Sequence, residues 1–297
     1  MIFILSGCRS TKNQVVKFEK KDKAPSALED ISKDLQDILK DAEKIESILD
    51  GTDMEVEKAE MEKVKEEEKA KQTIEVKTEG GGAAGDQGGG QGGGGTSGGS
   101  SGGQSSGVSQ GGQEKKKKPE GKDEKLLDTW EKIDKKIEDT HNKWNEYEAE
   151  GLKKGISLEK AEKFKNSLNS LTKSIENRRI LGIYDYGSQS MGNLAPMFEL
   201  YKDEVWGEIN KLKNYTYQAY IRAIQGKEKE ASKVLDSSEE EINKIRLKLG
   251  KDEGKIKVLD NVRLSIEDMK KALNEKSLKL TRIKKDIIIK NLEEVGK

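Results

Sequence analysis

Between Gly80 and Gly112 the chain is almost wholly glycine, serine and glutamine, and a stretch of that composition cannot bury a hydrophobic core. As a flexible linker it would span roughly 30 Å root-mean-square. Its glycine pairs superficially match a phosphate-cradling loop. No Lys-Ser or Lys-Thr follows, however, and no strand precedes it, so that chemistry is set aside. The block splits the sequence and leaves only the part from about Lys122 long enough to form a domain. Composition supports the division, with 32% of residues hydrophobic and 38% charged. Much of the chain therefore cannot offset its own ordering entropy. Lys+Arg and Asp+Glu both number 56, which gives no electrostatic case for nucleic acid.

From Lys122 onward, apolar residues recur at helical spacing with almost no strand-like alternation. Leu126, Trp130, Ile133, Ile137, Trp144 and Tyr147 line a first helix that ends near Gly151. Ser157 is an N-cap for a second, carrying Leu158, Ala161, Phe164, Leu168, Leu171 and Ile175 and closing at Arg178-Arg179. Gly182, Gly187, Gly192, Asn193 and Pro196 then interrupt the pattern, and Pro196 suits the first turn of a third helix reaching Gly226. A fourth runs from Ala231 to Leu249, with a division near Ser238-Glu239-Glu240-Glu241, a capping-box pattern. The last and longest holds Ile256, Leu259, Val262, Ile266, Met269, Leu273, Leu280, Ile283, Ile287 and Val295. The expected fold is all-α, an antiparallel bundle of four to five helices over 122–297, preceded by a largely disordered tether.

Within the first half, Ser26 with Glu29 forms another capping-box pattern. Leu28, Ile31, Leu35, Ile38, Ala42, Ile45 and Leu49 make an apolar stripe that stops at Gly51. Such a helix is marginal alone and must pack on the C-terminal domain, on itself, or on a partner. A charged, partly helical tether is assigned to 9–79 and a Gly/Ser-rich linker to 80–121. The linker ends in the basic run Lys115–Lys118. Nearer the start, the only cysteine, Cys8, follows Leu5-Ser6-Gly7 and an apolar run, Ile2-Phe3-Ile4. That is the pattern of a bacterial lipoprotein processing site, where the cysteine thiol takes diacylglycerol. Residues 1–8 then represent a signal remnant and lipidation site. A secretory leader has a basic n-region and about 7–15 apolar residues. The leader here is shorter, so the reading frame is expected to start upstream or the leader to have been trimmed.

Catalytic chemistry finds little to work with. One cysteine excludes a disulfide scaffold. The single histidine, His141, has no nucleophile elbow nearby, and one Glu138–His141 pair is half of what a di-metal bundle site needs. We expect no enzyme, no cofactor and no metal centre. The stretch Arg178-Arg179-Ile180-Leu181-Gly182-Ile183-Tyr184-Asp185-Tyr186-Gly187 is the most distinctive. Read as an interhelical segment, it places two arginines and two tyrosines where protein–protein hot spots draw their residues. The alternative is that Tyr184 and Tyr186 cap the bundle end while Arg178 and Arg179 complement a helix dipole. From Lys244 to Lys290, 15 basic residues face 7 acidic ones, and Lys257, Arg263, Lys270 and Lys271 are candidates for one basic surface.

A lipidated cysteine, a low-complexity region and a C-terminal helical domain together resemble the Borrelia fibronectin-binding lipoproteins. The nearest local likeness is Ser170-Leu171-Thr172-Lys173-Ser174-Ile175-Glu176-Asn177-Arg178-Arg179 with the following Leu181-Gly182-Ile183-Tyr184-Asp185-Tyr186-Gly187. The resemblance implies a lipoprotein anchored to the outer membrane and exposed at the bacterial surface. Its helical half would bind the complement protease C1r and block the classical pathway, and its extended half would bind fibronectin. C1r is trypsin-like, so an exposed arginine could pair with the aspartate of its specificity pocket. Arg178 or Arg179 is the candidate for that pocket, with Lys257 or Arg263 as a second contact. Fibronectin binding by strand addition needs alternating apolar residues, and the N-terminal half fits that poorly. Adhesion to fibronectin or a glycosaminoglycan is the alternative function.

Overall fold

A computed structural model of the chain describes residues 23–49, 121–202 and 205–297. Cys8, the run from Glu55 to Lys77, the glycine block and Lys115–Lys118 lie outside the described residues. The fold is all-α. Its helices are α1 (Ser26–Ile48), α2 (Lys122–Lys153), α3 (Leu158–Glu176), α4 (Ile180–Phe198), α5 (Trp206–Ile224), α6 (Glu228–Asp236), α7 (Ser238–Leu249), α8 (Glu253–Asn274) and α9 (Leu278–Gly296).

The stripe on α1 is used in full. Leu28, Ile31, Leu35, Ile38, Leu39, Ala42 and Ile45 are each 0% exposed, and the helix packs on α2 and α4 and is tied to α9 by ion pairs. Residues 26–48, assigned above to the tether, are therefore part of the bundle. Lys136 on α2 reaches Asp37, Lys143 reaches Asp34, and Lys40 pairs with Glu293 on α9. The Ser26–Glu29 capping box does not form, because the N-cap is Pro25 and Ser26 is already helical.

The centre of the bundle is α4, and here the sequence reading is corrected. The glycines at 182, 187 and 192 do not break a helix, and Pro196 lies in the last turn of α4 rather than the first turn of the next. Most of α4 is buried, with Tyr184, Ile183, Met191 and Leu194 at 0% exposure. A helix enclosed on all sides shows no polar face, hence no stripe. Its glycines allow close approach: a Cβ on Gly187 would stand 2.8 Å from Leu39 Cδ2 of α1, and one on Gly192 would stand 2.6 Å from Asn214 Nδ2 of α5.

The expected fourth helix divides into α6 and α7 at Ser237, though without a side-chain cap. The expected last helix also divides. Lys276 adopts φ 54°, with Lys276 N–H donating to Leu273 O and Ser277 N–H to Ala272 O, a Schellman cap in which lysine takes the place of glycine. The break resets the helical phase. Thr281, Lys285, Ile288, Ile289, Leu292 and Val295 face inward on α9, whereas Ile283 and Ile287, counted in the stripe, are exposed. Replacing Lys276 by glycine removes about 1–2 kcal/mol of left-handed backbone strain and returns less than about 1 kcal/mol in chain entropy. Lys276→Gly is expected to raise the melting temperature by a few degrees in differential scanning calorimetry.

Candidate functional sites

The α3–α4 turn repeats the same cap with arginine. Arg178 has φ 53°, its N–H donates to Ile175 O, and Arg179 N–H donates to Ser174 O. The side chain is held as well. Arg178 Nη1 and Nη2 donate to Asp134 Oδ1 and Oδ2 of α2, both at 2.8 Å, and the guanidinium carbon lies 4.7 Å from the Trp130 ring centroid. Its side chain is 46% exposed and that of Asp134 is 44%, so this is a surface pair, worth about 1 kcal/mol or less. Arg179 is half-buried.

The two tyrosines of this stretch part ways. Tyr186 is half-buried, but Tyr184 is 0% exposed and cannot touch a partner, which corrects its assignment to a binding surface. Because 180–198 is helical, Tyr184 faces inward toward α5 and α9 and does not sit on a loop.

The basic candidates on α8 do not form one surface. At 100° per residue, Lys257, Leu264 and Lys271 lie within about 40° of one another on the outer face. Leu264 is 65% exposed. Arg263 and Lys270 lie on a different flank, paired with Glu239 of α7 (2.9 Å) and Asp236 of α6 (3.0 Å). None of the principal helix pairings joins α3 or α4 to α8, so Arg178 and the α8 cations are not brought together. His141 is half-buried, with Nε2 2.8 Å from Thr172 Oγ1, and burial lowers its pKa. Among the described residues no group of three or more His, Cys, Asp or Glu could hold a metal ion, and no helix is long and apolar enough to cross a membrane.

The strongest concentration of buried charge was not anticipated. Lys285, counted above within the basic excess, is 0% exposed and enclosed by three tyrosines. Its Nζ lies 5.1 Å from the Tyr217 ring centroid, 5.2 Å from Tyr220 and 6.0 Å from Tyr184, and pairs with Glu43 of α1 and with Asp286 at 2.7 Å. Tyr217 OH donates to Glu43 Oε1 at 2.9 Å. Tyr184 OH and Tyr220 OH donate to Glu46 at 2.6 and 3.2 Å. Arg282 stands 3.4 Å from the same Glu46 carboxylate. Two acids of α1 are thereby fastened to α4, α5 and α9. A visible signal existed in the polar residue at an inward position of α9, but it can be read only once the Lys276 break is known.

Burial first, then the Glu46 and Glu43 carboxylates, holds the Tyr184 and Tyr217 phenols well above their usual pKa of 10.0. Tyr147 and Tyr220 are raised too, again chiefly by burial. A raised folded-state pKa contributes stability that is complete below the unfolded value and is lost as pH rises past it. Each such tyrosine adds a slope of about 1.4 kcal/mol per pH unit above about pH 10. The protein is expected to unfold steeply between about pH 10 and 12. In a titration followed at 295 nm and by circular dichroism, these phenolates should appear together with the loss of helicity. Their ionisation with helicity intact would contradict this packing.

Compared with protein-family models, with curated proteins and with solved structures, the chain matches none of them.

Proposed function

We propose that this chain is a lipid-anchored bacterial surface protein whose helical bundle binds and inhibits the complement protease C1r, with Cys8 as the attachment point. The observation that carries the reading is Arg178. Its guanidinium stands at the surface on a turn fixed by two backbone hydrogen bonds, already in the planar, two-pronged geometry that a carboxylate accepts. Exchanging the exposed Asp134 for the buried aspartate of a trypsin-like pocket gives up only about 1 kcal/mol. Arg179 follows it in the chain, and Tyr186, about two turns into α4, is half-buried. Lys257, exposed on the outer face of α8, is a separate contact for a partner large enough to reach both regions. Arg263 is the weaker candidate of the two because Glu239 already holds it.

The test uses a chain that keeps α1. Residues 23–297 are passed over immobilised C1r by surface plasmon resonance, with C1s and fibronectin as parallel surfaces. Selective binding to C1r is expected. Arg178→Glu with Arg179→Glu should weaken it by two orders of magnitude or more, about what a central arginine hot spot supplies, while circular dichroism shows unchanged helicity. Unaltered affinity in that variant excludes the arginine anchor. Binding to fibronectin without C1r moves the function to adhesion.

A further inference from the structure

A cleft of about 400 Å³ opens between α1, α5 and α9, lined by Ser32, Gln36, Asp37, Trp206, Lys213 and Glu293 among others. That volume falls within the range of small-molecule sites, about 300–1,000 Å³. Lys213 forms part of its wall and is 2% exposed. Lys285, the other buried lysine among the described residues, has carboxylate partners within ion-pair distance. Among the described residues Lys213 has neither an ion pair nor a hydrogen-bond acceptor, and its Nζ lies 6.0 Å from the Trp206 ring centroid. One turn earlier on the same face of α5, Asn210 is 0% exposed. Its Oδ1 accepts from Ser32 of the cleft wall at 2.8 Å, and its Nδ2 has no acceptor. The acids nearest the lysine are engaged elsewhere, Asp37 with Lys136 and Glu293 with Lys40. Trp206 is seated flat at one end because Gly296 of α9 leaves room for it; a Cβ there would lie 2.6 Å from the ring.

The arrangement is a buried cation and a buried amide donor without acceptors, beside an indole wall. We propose that this cleft binds a small monocarboxylate with an aromatic or aliphatic body, the carboxylate pairing with Lys213 and the apolar part stacking on Trp206. Lys213 is the one buried cation of the lining, and the exposed or half-buried Lys33, Lys40 and Lys297 are offset by four lining acids. A monoanion therefore meets one unpaired ammonium, whereas a phosphate dianion would leave one charge buried and uncompensated. Burial holds Lys213 down at about 8, and the Glu293 and Asp37 carboxylates, engaged with other lysines, offset it only in part. The proposal is independent of C1r binding, since Arg178 lies on the α3–α4 turn and does not line this cleft.

The test uses the full chain and compares benzoate with benzamide, its neutral isostere, together with hexanoate and inorganic phosphate. Binding is followed by calorimetry and by the indole N–H resonance of Trp206, assigned through Trp206→Phe. Benzoate is expected to bind at least about tenfold more tightly than benzamide, a difference of about 1.4 kcal/mol. Lys213→Met should abolish the preference while raising the melting temperature, because the unpaired ammonium is no longer buried. Three results would overturn the proposal: equal binding of benzoate and benzamide, no carboxylate binding at about 10 mM (weaker than the millimolar range that about 4 kcal/mol supports), or tighter binding of phosphate. The isostere pair decides the matter even if a variant fails to fold.

Discussion

A chain that begins at Gly121 is expected to show no cooperative thermal transition. α1 contributes six large apolar side chains at 0% exposure, namely Leu28, Ile31, Leu35, Ile38, Leu39 and Ile45. At about 1.5–3 kcal/mol each, their removal costs about 9–18 kcal/mol. Total stabilities of folded domains are about 5–15 kcal/mol, so the loss matches or exceeds what the whole domain has. Removing α1 also takes away Glu43 and Glu46, leaving Lys285 buried with Asp286 as its one carboxylate and three phenols without acceptors. The fragment 121–297 should retain partial helicity, bind a hydrophobic dye and melt without a heat-absorption peak. A synthetic peptide of residues 23–49, added in trans, should restore the transition with a midpoint that climbs with peptide concentration. A sharp transition in the fragment alone would show that the bundle closes without α1.

The intervening segment, by contrast, is expected to matter little to stability. Residues 49–121 connect Ile48 to Lys122 across 73 residues. Deleting 80–112 leaves 40 residues, and loop-closure entropy changes only as the logarithm of length, about 0.5 kcal/mol here. The composition that most sharply divides the sequence therefore does not divide the fold: the chain on both sides of the glycine block belongs to one hydrophobic core.

That contrast marks what the sequence made legible. α1, α2, α3 and α8 were readable because each buries one face and exposes another, so polarity alternates at helical spacing along the chain. α4 was not, because burial on every side erases that contrast and its glycines serve close packing against Leu39 and Asn214 rather than turning. Of the breaks at Arg178 and Lys276, the first was read as the end of its helix and the second was hidden for a different reason. Both place a long cationic side chain in the left-handed region, where glycine is the usual signal, while the true glycine stop at Gly226 was found. Losing the second break put α9 out of phase, and with it Lys285. The arginine of the α3–α4 turn was identified from the sequence, whereas its Asp134 and Trp130 partners, 44 and 48 positions away, could not be. Lys213 gave no sign at all: a lysine at a core position looks like any other until the groups around it are seen to lack a carboxylate within reach.

The second large effect is expected at Lys285. Its ammonium is 0% exposed and faces Glu43, Asp286 and three tyrosine rings, so the stability it confers depends on its partners staying in place. Lys285→Met keeps the volume and removes the charge, leaving Glu43 partly buried with only the Tyr217 hydroxyl to satisfy it. Breaking one side of a buried pair costs about 3–5 kcal/mol. For a domain of this size that corresponds to a fall in melting temperature of roughly 10 °C or more. The pair removed together behaves differently, because no unpaired charge is left in the interior. Lys285→Met with Glu43→Leu is expected to recover most of the lost stability, leaving a deficit within about 1–2 kcal/mol of the starting protein. A thermal or urea double-mutant cycle gives the coupling directly. Losses that simply add would mean that Lys285 and Glu43 do not stabilise one another, and that the tie between α1 and the rest of the bundle is made by its apolar stripe alone.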